Sequence, residues 1–117
     1  MTVVEAPAGW LSLCSLSRLT PDRGAAALVG DRQVALFLLA TGEVFAVDHR
    51  DPFSGTNVLA RGLVGDHLGV PTVASPVYKQ RFDLRTGECL DDPEVELDTW
   101  PVRVVDGVVE IGVGPHP

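Results

Sequence analysis

Three kinds of side chain in this sequence have the chemistry to hold a metal or move a proton. They are two cysteines, Cys14 and Cys89, two internal histidines, His49 and His67, and the aspartates Asp48, Asp51 and Asp66 around those histidines. A thiolate and imidazole site needs donors at spacings that one fold can bring together. The intervals between Cys14, His49, His67 and Cys89 match no such frame, and neither cysteine belongs to a Cys-x-x-Cys pair. The cysteines read instead as small apolar residues, and the two histidines as surface residues in loops. The aspartates have the groups for a hard-cation site or for acid–base catalysis. Aspartate is also common in turns, because its carboxylate bonds nearby backbone, and that is the reading adopted. Asp91, Asp92, Glu94 and Glu96 read as a solvated acidic run. The chain has no Gly-x-Gly-x-x-Gly, no Gly-Lys-Ser/Thr and no serine-centred nucleophile motif. The expectation is no catalytic and no metal-ligating residue.

The elements that carry these residues read as strands. Trp10 to Cys14 alternates loosely, and Thr20-Pro21-Asp22 reads as a turn or a short helical start. Gly24 to Val29 is an alanine-rich strand, and Val34 to Ala40 a buried one. Thr41-Gly42 turns the chain into Glu43 to Val47, giving an antiparallel meander. Between Asp48 and Gly69 the pattern breaks into what reads as a long loop, suspect as a binding surface. Val70 to Ala74 and Arg81 to Leu84 are strands on either side of Ser75-Pro76-Val77-Tyr78, a loop because Pro76 donates no backbone hydrogen bond. Cys89 to Glu94 is an acidic connection. Trp100 to Val105 and Val108 to Ile111 flank Asp106-Gly107, the pair a type I′ hairpin turn requires.

Composition narrows the class. A chain of 117 residues is one domain, Met1 to Pro117, since a second core would not fit. With 45% hydrophobic and 21% charged residues it buries a core and is not disordered. Twelve Gly and nine Pro favour turns and an all-β fold. A formal net charge of -7 argues against nucleic acid or an anionic membrane as partner. The start, Met1 to Glu5, lacks the basic and apolar regions of an export signal. No apolar run approaches the roughly 20 residues of a membrane span. A cytoplasmic protein with reduced cysteines is therefore expected.

The stretch from Ala74 to Gly87 resembles the second cluster-binding loop of a Rieske domain, Cys-Pro-x-His-Gly-x-x-Phe-Asp-x-x-Thr-Gly. Ser75 stands at the cysteine position and Tyr78 at the histidine. Upstream, Asp51-Pro52-Phe53 stands where Cys-Pro-His would lie, with Asp51 and Phe53 at the ligand positions. This ligand-free frame resembles the small subunit of cytoplasmic NAD(P)H-dependent nitrite reductase. Asp51-Pro52-Phe53, Leu59 to Leu63, Ala74-Ser75-Pro76, Lys79 to Phe82 and Val102 to Val109 carry the resemblance.

The resemblance implies an all-β, Rieske-like antiparallel sandwich or small barrel, with its core from about Trp10 to Val113. A degenerate cluster-loop subdomain would run from about Asp48 to Glu88. It implies a non-catalytic subunit of an enzyme that reduces nitrite to ammonium. That subunit would bind no cofactor itself, with FAD, sirohaem and a [4Fe–4S] cluster on the large subunit. A [2Fe–2S] centre needs two thiolates and two imidazoles, and Asp51, Phe53, Ser75 and Tyr78 are a poor replacement. Phe53 and Tyr78 would meet at the tip of the domain, either as core filling or as part of a surface with Lys79, Gln80 and Arg81 that docks the large subunit. Two alternatives stay open: a Rieske-type ferredoxin serving an oxygenase, and a free-standing binding module that shares only the fold.

Overall fold

A computed structural model describes residues 9–113. The strands are β1 (Gly9–Ser15), β2 (Gly24–Val29), β3 (Arg32–Leu38), β4 (Val44–Asp48), β5 (Leu63–His67), β6 (Val70–Ala74), β7 (Arg81–Asp83), β8 (Thr99–Trp100), β9 (Val102–Val105) and β10 (Val108–Val113). They form three sheets with strand orders β1-β10-β9, β2-β3-β4-β8 and β5-β6-β7, and every neighbouring pair is antiparallel.

β3 is the wall between two cores. Side chains alternate across a strand, and here both faces are apolar, so Val34 to Phe37 are buried without a break. Ala35 and Phe37 join Val47, Leu59, Val73, Phe82 and Leu84 on one side. Val34 and Leu36 join Ala46, Val109 and Ile111 on the other. Each large side chain fully buried in this way contributes roughly 1.5–3 kcal/mol. The first core joins the β2–β3–β4 meander to the small β5–β6–β7 sheet, and the second fills a barrel-like body.

That body closes at a proline. Pro101 has no N–H to donate, and the chain changes sheets there: Trp100 pairs with Ala46 of β4, whereas Val102 pairs with Ile111 of β10. On the opposite side β1 and β2 are both edge strands, with a cleft of about 500 Å³ between them. The Asp106-Gly107 turn has φ of 51° and 75°, the left-handed pair expected of type I′.

The all-β expectation holds, and two local readings are corrected. The long segment read as a loop contains β5, so the small sheet has three strands. Thr20 to Arg23 forms the turn, with the Arg23 N–H donating to the Thr20 carbonyl (3.1 Å), and a short helical turn forms separately at Leu16–Arg18. Within the turn Asp22 takes a left-handed φ of 63°, while Pro21 bridges to Leu38. His49 is buried, not a surface residue. Among the described residues no helix is long and apolar enough to cross a membrane. Cys14 and Cys89 are free thiols.

Candidate functional site

The first tip loop leaves β4 and is tied down at once. Asp51 N–H donates to the Thr56 carbonyl (2.9 Å), and Gly55 N–H to the Asp51 carbonyl (2.7 Å). Asp51 Oδ1 accepts the Phe53 N–H at 2.9 Å, an Asx turn that any aspartate can form locally. Unusually for a carboxylate, the side chain is fully buried. The Phe53 ring points inward, its centroid 6.2 Å from that of Phe82 at a tilt of 46°.

The second loop, between β6 and β7, closes on Ser75. Its N–H donates to the Gln80 carbonyl (2.9 Å), and its carbonyl accepts from Lys79 N–H (3.1 Å). Val77 N–H donates to Ser75 Oγ at 3.2 Å, which leaves the hydroxyl proton free. That proton goes to Asp51 Oδ2, with Oγ and Oδ2 2.5 Å apart. Ser75 is as fully buried as Asp51. The two positions that the resemblance assigns to thiolates are thus joined by one buried hydrogen bond across the loops.

These residues do not fit a [2Fe–2S] cluster. The Asp51 carboxylate and Ser75 hydroxyl are hard donors already committed to each other and to backbone N–H groups. Phe53 offers no donor atom. Tyr78 is 60% exposed. Among the described residues no three His, Cys, Asp or Glu side chains converge as a metal site would require.

Phe53 and Tyr78, expected together at the tip, have different surroundings. Phe53 packs on the first core while Tyr78 stays on the surface. Lys79 is exposed with φ of 69°, a left-handed conformation rare for a side chain of that size. Gln80 is half-buried, and its Oε1 has no partner among the described residues. Arg81 is clamped by Asp91 through Nε (3.3 Å) and a terminal nitrogen (3.0 Å). The Asp91 carboxylate also accepts the Arg81 backbone N–H at 2.8 Å. Hydrogen bonding to Arg81 holds the Asp91 carboxyl below its usual range, and the same pairing raises the guanidinium.

His49 supports the first loop from below. Its carbonyl accepts the N–H groups of Val58 and Leu59, and its ring Nδ1 accepts that of Ala60 at 3.1 Å. These are the donors that the short 3₁₀ turn Leu59–Arg61 leaves unpaired at its start. Burial lowers the imidazole's proton affinity, helped by the nearby Arg61 and opposed by Asp48. A neutral ring is what an accepting Nδ1 requires. Gly62 follows that turn so closely against β6 that an added Cβ would lie 2.5 Å from the Ala74 carbonyl oxygen. The next residue, Leu63, is opposite Ala74 in register and 79% exposed. Sequence reasoning passed over it, because one leucine in an irregular segment gives no periodic signal.

The chain matches a family model, the Rieske-like [2Fe-2S] domain, over residues 9–112. The nitrite reductase (NADH) small subunit of Escherichia coli K12 is 42% identical over 103 residues, covering 87% of this chain and 95% of that one. This chain belongs to the nitrite reductase small-subunit family. Its Rieske-like fold is shared with the crystal structure of a Mycobacterium tuberculosis protein described as an NADH-dependent nitrite reductase small subunit. The two agree with a TM-score of 0.88 at 44% identity, over 92% of this chain and 97% of the other. A Klebsiella oxytoca nitrite reductase [NAD(P)H] large subunit contains a segment 44% identical over 103 residues, 88% of this chain and 11% of that protein. The anthranilate 1,2-dioxygenase ferredoxin subunit of Burkholderia cepacia is 33% identical over 108 residues, covering 92% of this chain and 94% of the other.

Proposed function

We propose that this chain is one Rieske-like domain, from about Trp10 to Val113, and the non-catalytic small subunit of a cytoplasmic, assimilatory NAD(P)H nitrite reductase that reduces nitrite to ammonium. FAD, sirohaem and a [4Fe–4S] cluster belong to the large subunit, and this chain binds that subunit without carrying electrons. Neither nucleic acid nor a membrane is a partner, in keeping with the net charge of -7. The observation that carries the reading is the Asp51–Ser75 hydrogen bond. It orders the tip with protein atoms alone, so the loops serve contacts rather than redox chemistry. The Klebsiella protein supports the partner, since there a similar domain and a large subunit share one polypeptide.

The second reading, a ferredoxin for an oxygenase, is favoured by the Burkholderia relative and opposed by the four ligand positions. Expression alone and together with a nitrite reductase large subunit separates the two. The expected result is a colourless, iron-free small subunit that co-purifies with the large one and supports nitrite-dependent oxidation of NAD(P)H. Stoichiometric iron with visible charge-transfer bands after anaerobic purification would overturn the reading in favour of the ferredoxin.

A further inference from the structure

Two of the tip residues expected to face a partner are already engaged elsewhere. The Phe53 ring is spent on Phe82, and the Arg81 charge on Asp91. What remains open at that end of the molecule is a different set. Register puts Leu63 beside Ala74, the residue that leads into the second loop, and 79% of Leu63 is exposed. On the loop itself Val77 and Tyr78 are exposed, and Lys79 follows in its left-handed conformation. Three apolar side chains so placed at one end are more than scattered surface residues.

The charges around them are arranged to match. Arg32, Arg81, Arg85 and Arg103 are each paired with carboxylates. Arg18, Arg23, Arg50, Arg61 and Lys79 have no acidic partner in ion-pair range among the described residues. Three of these five lie by the tip: the Arg50 guanidinium lies over Gly55 of the first loop, Arg61 precedes Gly62, and Lys79 is on the second loop. Four of the acids nearby are committed, Asp48 to Arg32, Asp51 to Ser75, Asp83 to Arg85 and Asp91 to Arg81, while Asp22 lines a pocket with Arg23, Arg61 and Leu63 and is not ion-paired among the described residues. A chain of net charge -7 thus presents a locally basic rim around an apolar centre.

We propose that Leu63, Val77 and Tyr78, rimmed by Arg50, Arg61 and Lys79, form the docking surface of this chain. The partner face it fits is an acidic ring around an apolar pocket on the large subunit. The proposal rests on the small-subunit reading above and adds to it the chemistry of both faces. An acidic partner is repelled by most of this acidic domain and attracted to the basic rim, so charge favours this orientation. The apolar centre then supplies the anchors that hold it. The cleft between β1 and β2 is another open apolar feature, and nothing in its lining favours a particular occupant.

Binding of the intact domain to immobilised large subunit, at about 50 mM and about 300 mM salt, tests the surface. Tyr78→Ala and Leu63→Ser should each raise Kd about tenfold or more, as truncated interface anchors do. The double variant Arg61→Glu, Lys79→Glu should slow association about tenfold or more at low salt and flatten its salt dependence. Leu28→Ser, which removes an exposed leucine on β2, should leave Kd unchanged. All these side chains are exposed, and unchanged thermal melts would certify the folds. Wild-type binding that none of the tip variants weakens would overturn the surface and leave the small-subunit reading intact. Wild-type protein that fails to bind the large subunit at either salt would overturn both.

Discussion

The two tip loops begin alike and finish differently. Each opens with a buried polar residue followed by proline, Asp51-Pro52 and Ser75-Pro76, and each turns within a few residues. The first loop then directs its aromatic ring, Phe53, onto the core. The second leaves Val77 and Tyr78 in solvent. One loop is spent on holding the tip together, and the other on presenting a surface. Ordering any loop has an entropic cost of about 1–2 kcal/mol per residue, and here the first loop's internal contacts offset that cost for both. Where a metal cluster would tie two loops through four ligands, this chain uses one hydrogen bond and the tilted contact of Phe53 with Phe82.

If this division is right, the largest loss of stability comes from the bond that joins the loops. Asp51→Ala leaves the Ser75 hydroxyl and the Phe53 N–H buried without acceptors, and should cost roughly 3 kcal/mol. Ser75→Ala removes one donor from a buried carboxylate and should cost about 2 kcal/mol. Because the two share one interaction, the double variant should lose less than the sum of the singles, by about 1 kcal/mol or more. Denaturant titration of the four proteins gives the cycle. Additive losses would mean that the two loops are held independently, and the comparison above would fall.

Much of this was readable beforehand, for physical reasons that can be named. The β9–β10 hairpin was legible because Asp-Gly between β-branched runs suits two successive left-handed residues. β6 was legible because proline and glycine fence a short apolar run. β5 was not, since Leu63 faces solvent and Gly65 and Asp66 interrupt any alternation, leaving strand identity to its pairing with β6. The proline frames pointed to the site, but the side-chain directions did not follow from them. Phe53 and Tyr78 occupy equivalent positions in the motif, and only the packing of Phe82 decides which one turns inward. His49 looked like a surface histidine among Asp48, Arg50 and Asp51. Its burial answers a need created eleven residues later, the unpaired N–H of Ala60.

The same division predicts unequal effects of truncating the two rings. Phe53→Ala removes a half-buried ring from the first core and should cost about 2 kcal/mol, less than the 3–5 kcal/mol of a fully buried phenylalanine. Tyr78→Ala removes a ring that is 60% exposed and should cost less than about 0.5 kcal/mol. Thermal melts of both variants decide the matter. Equal losses would show that the second loop is as much a part of the core as the first.

The smallest effect expected is a dependence on pH confined to the first loop. His49 takes up a proton less readily in the folded chain than at its ordinary value of 6.5, chiefly because it is buried. Above that value the ring is neutral in both folded and unfolded chains, and its contribution is fully present. As the pH falls below it, the unfolded chain binds the proton first, and stability is lost until the folded value is passed. Protonation also ends the acceptance of the Ala60 N–H by Nδ1. Amide exchange at Ala60, corrected for its intrinsic rate, should therefore lose protection as the pH falls below the ordinary value of 6.5, while that of Val77 in the second loop should not. His49→Asn keeps an acceptor without a titrating ring and should hold Ala60 protection constant over that range, above the pH at which carboxylates begin to contribute. Parallel loss of protection at Ala60 and Val77 in the wild-type chain would show that the loops open as one unit, with no division of labour between them.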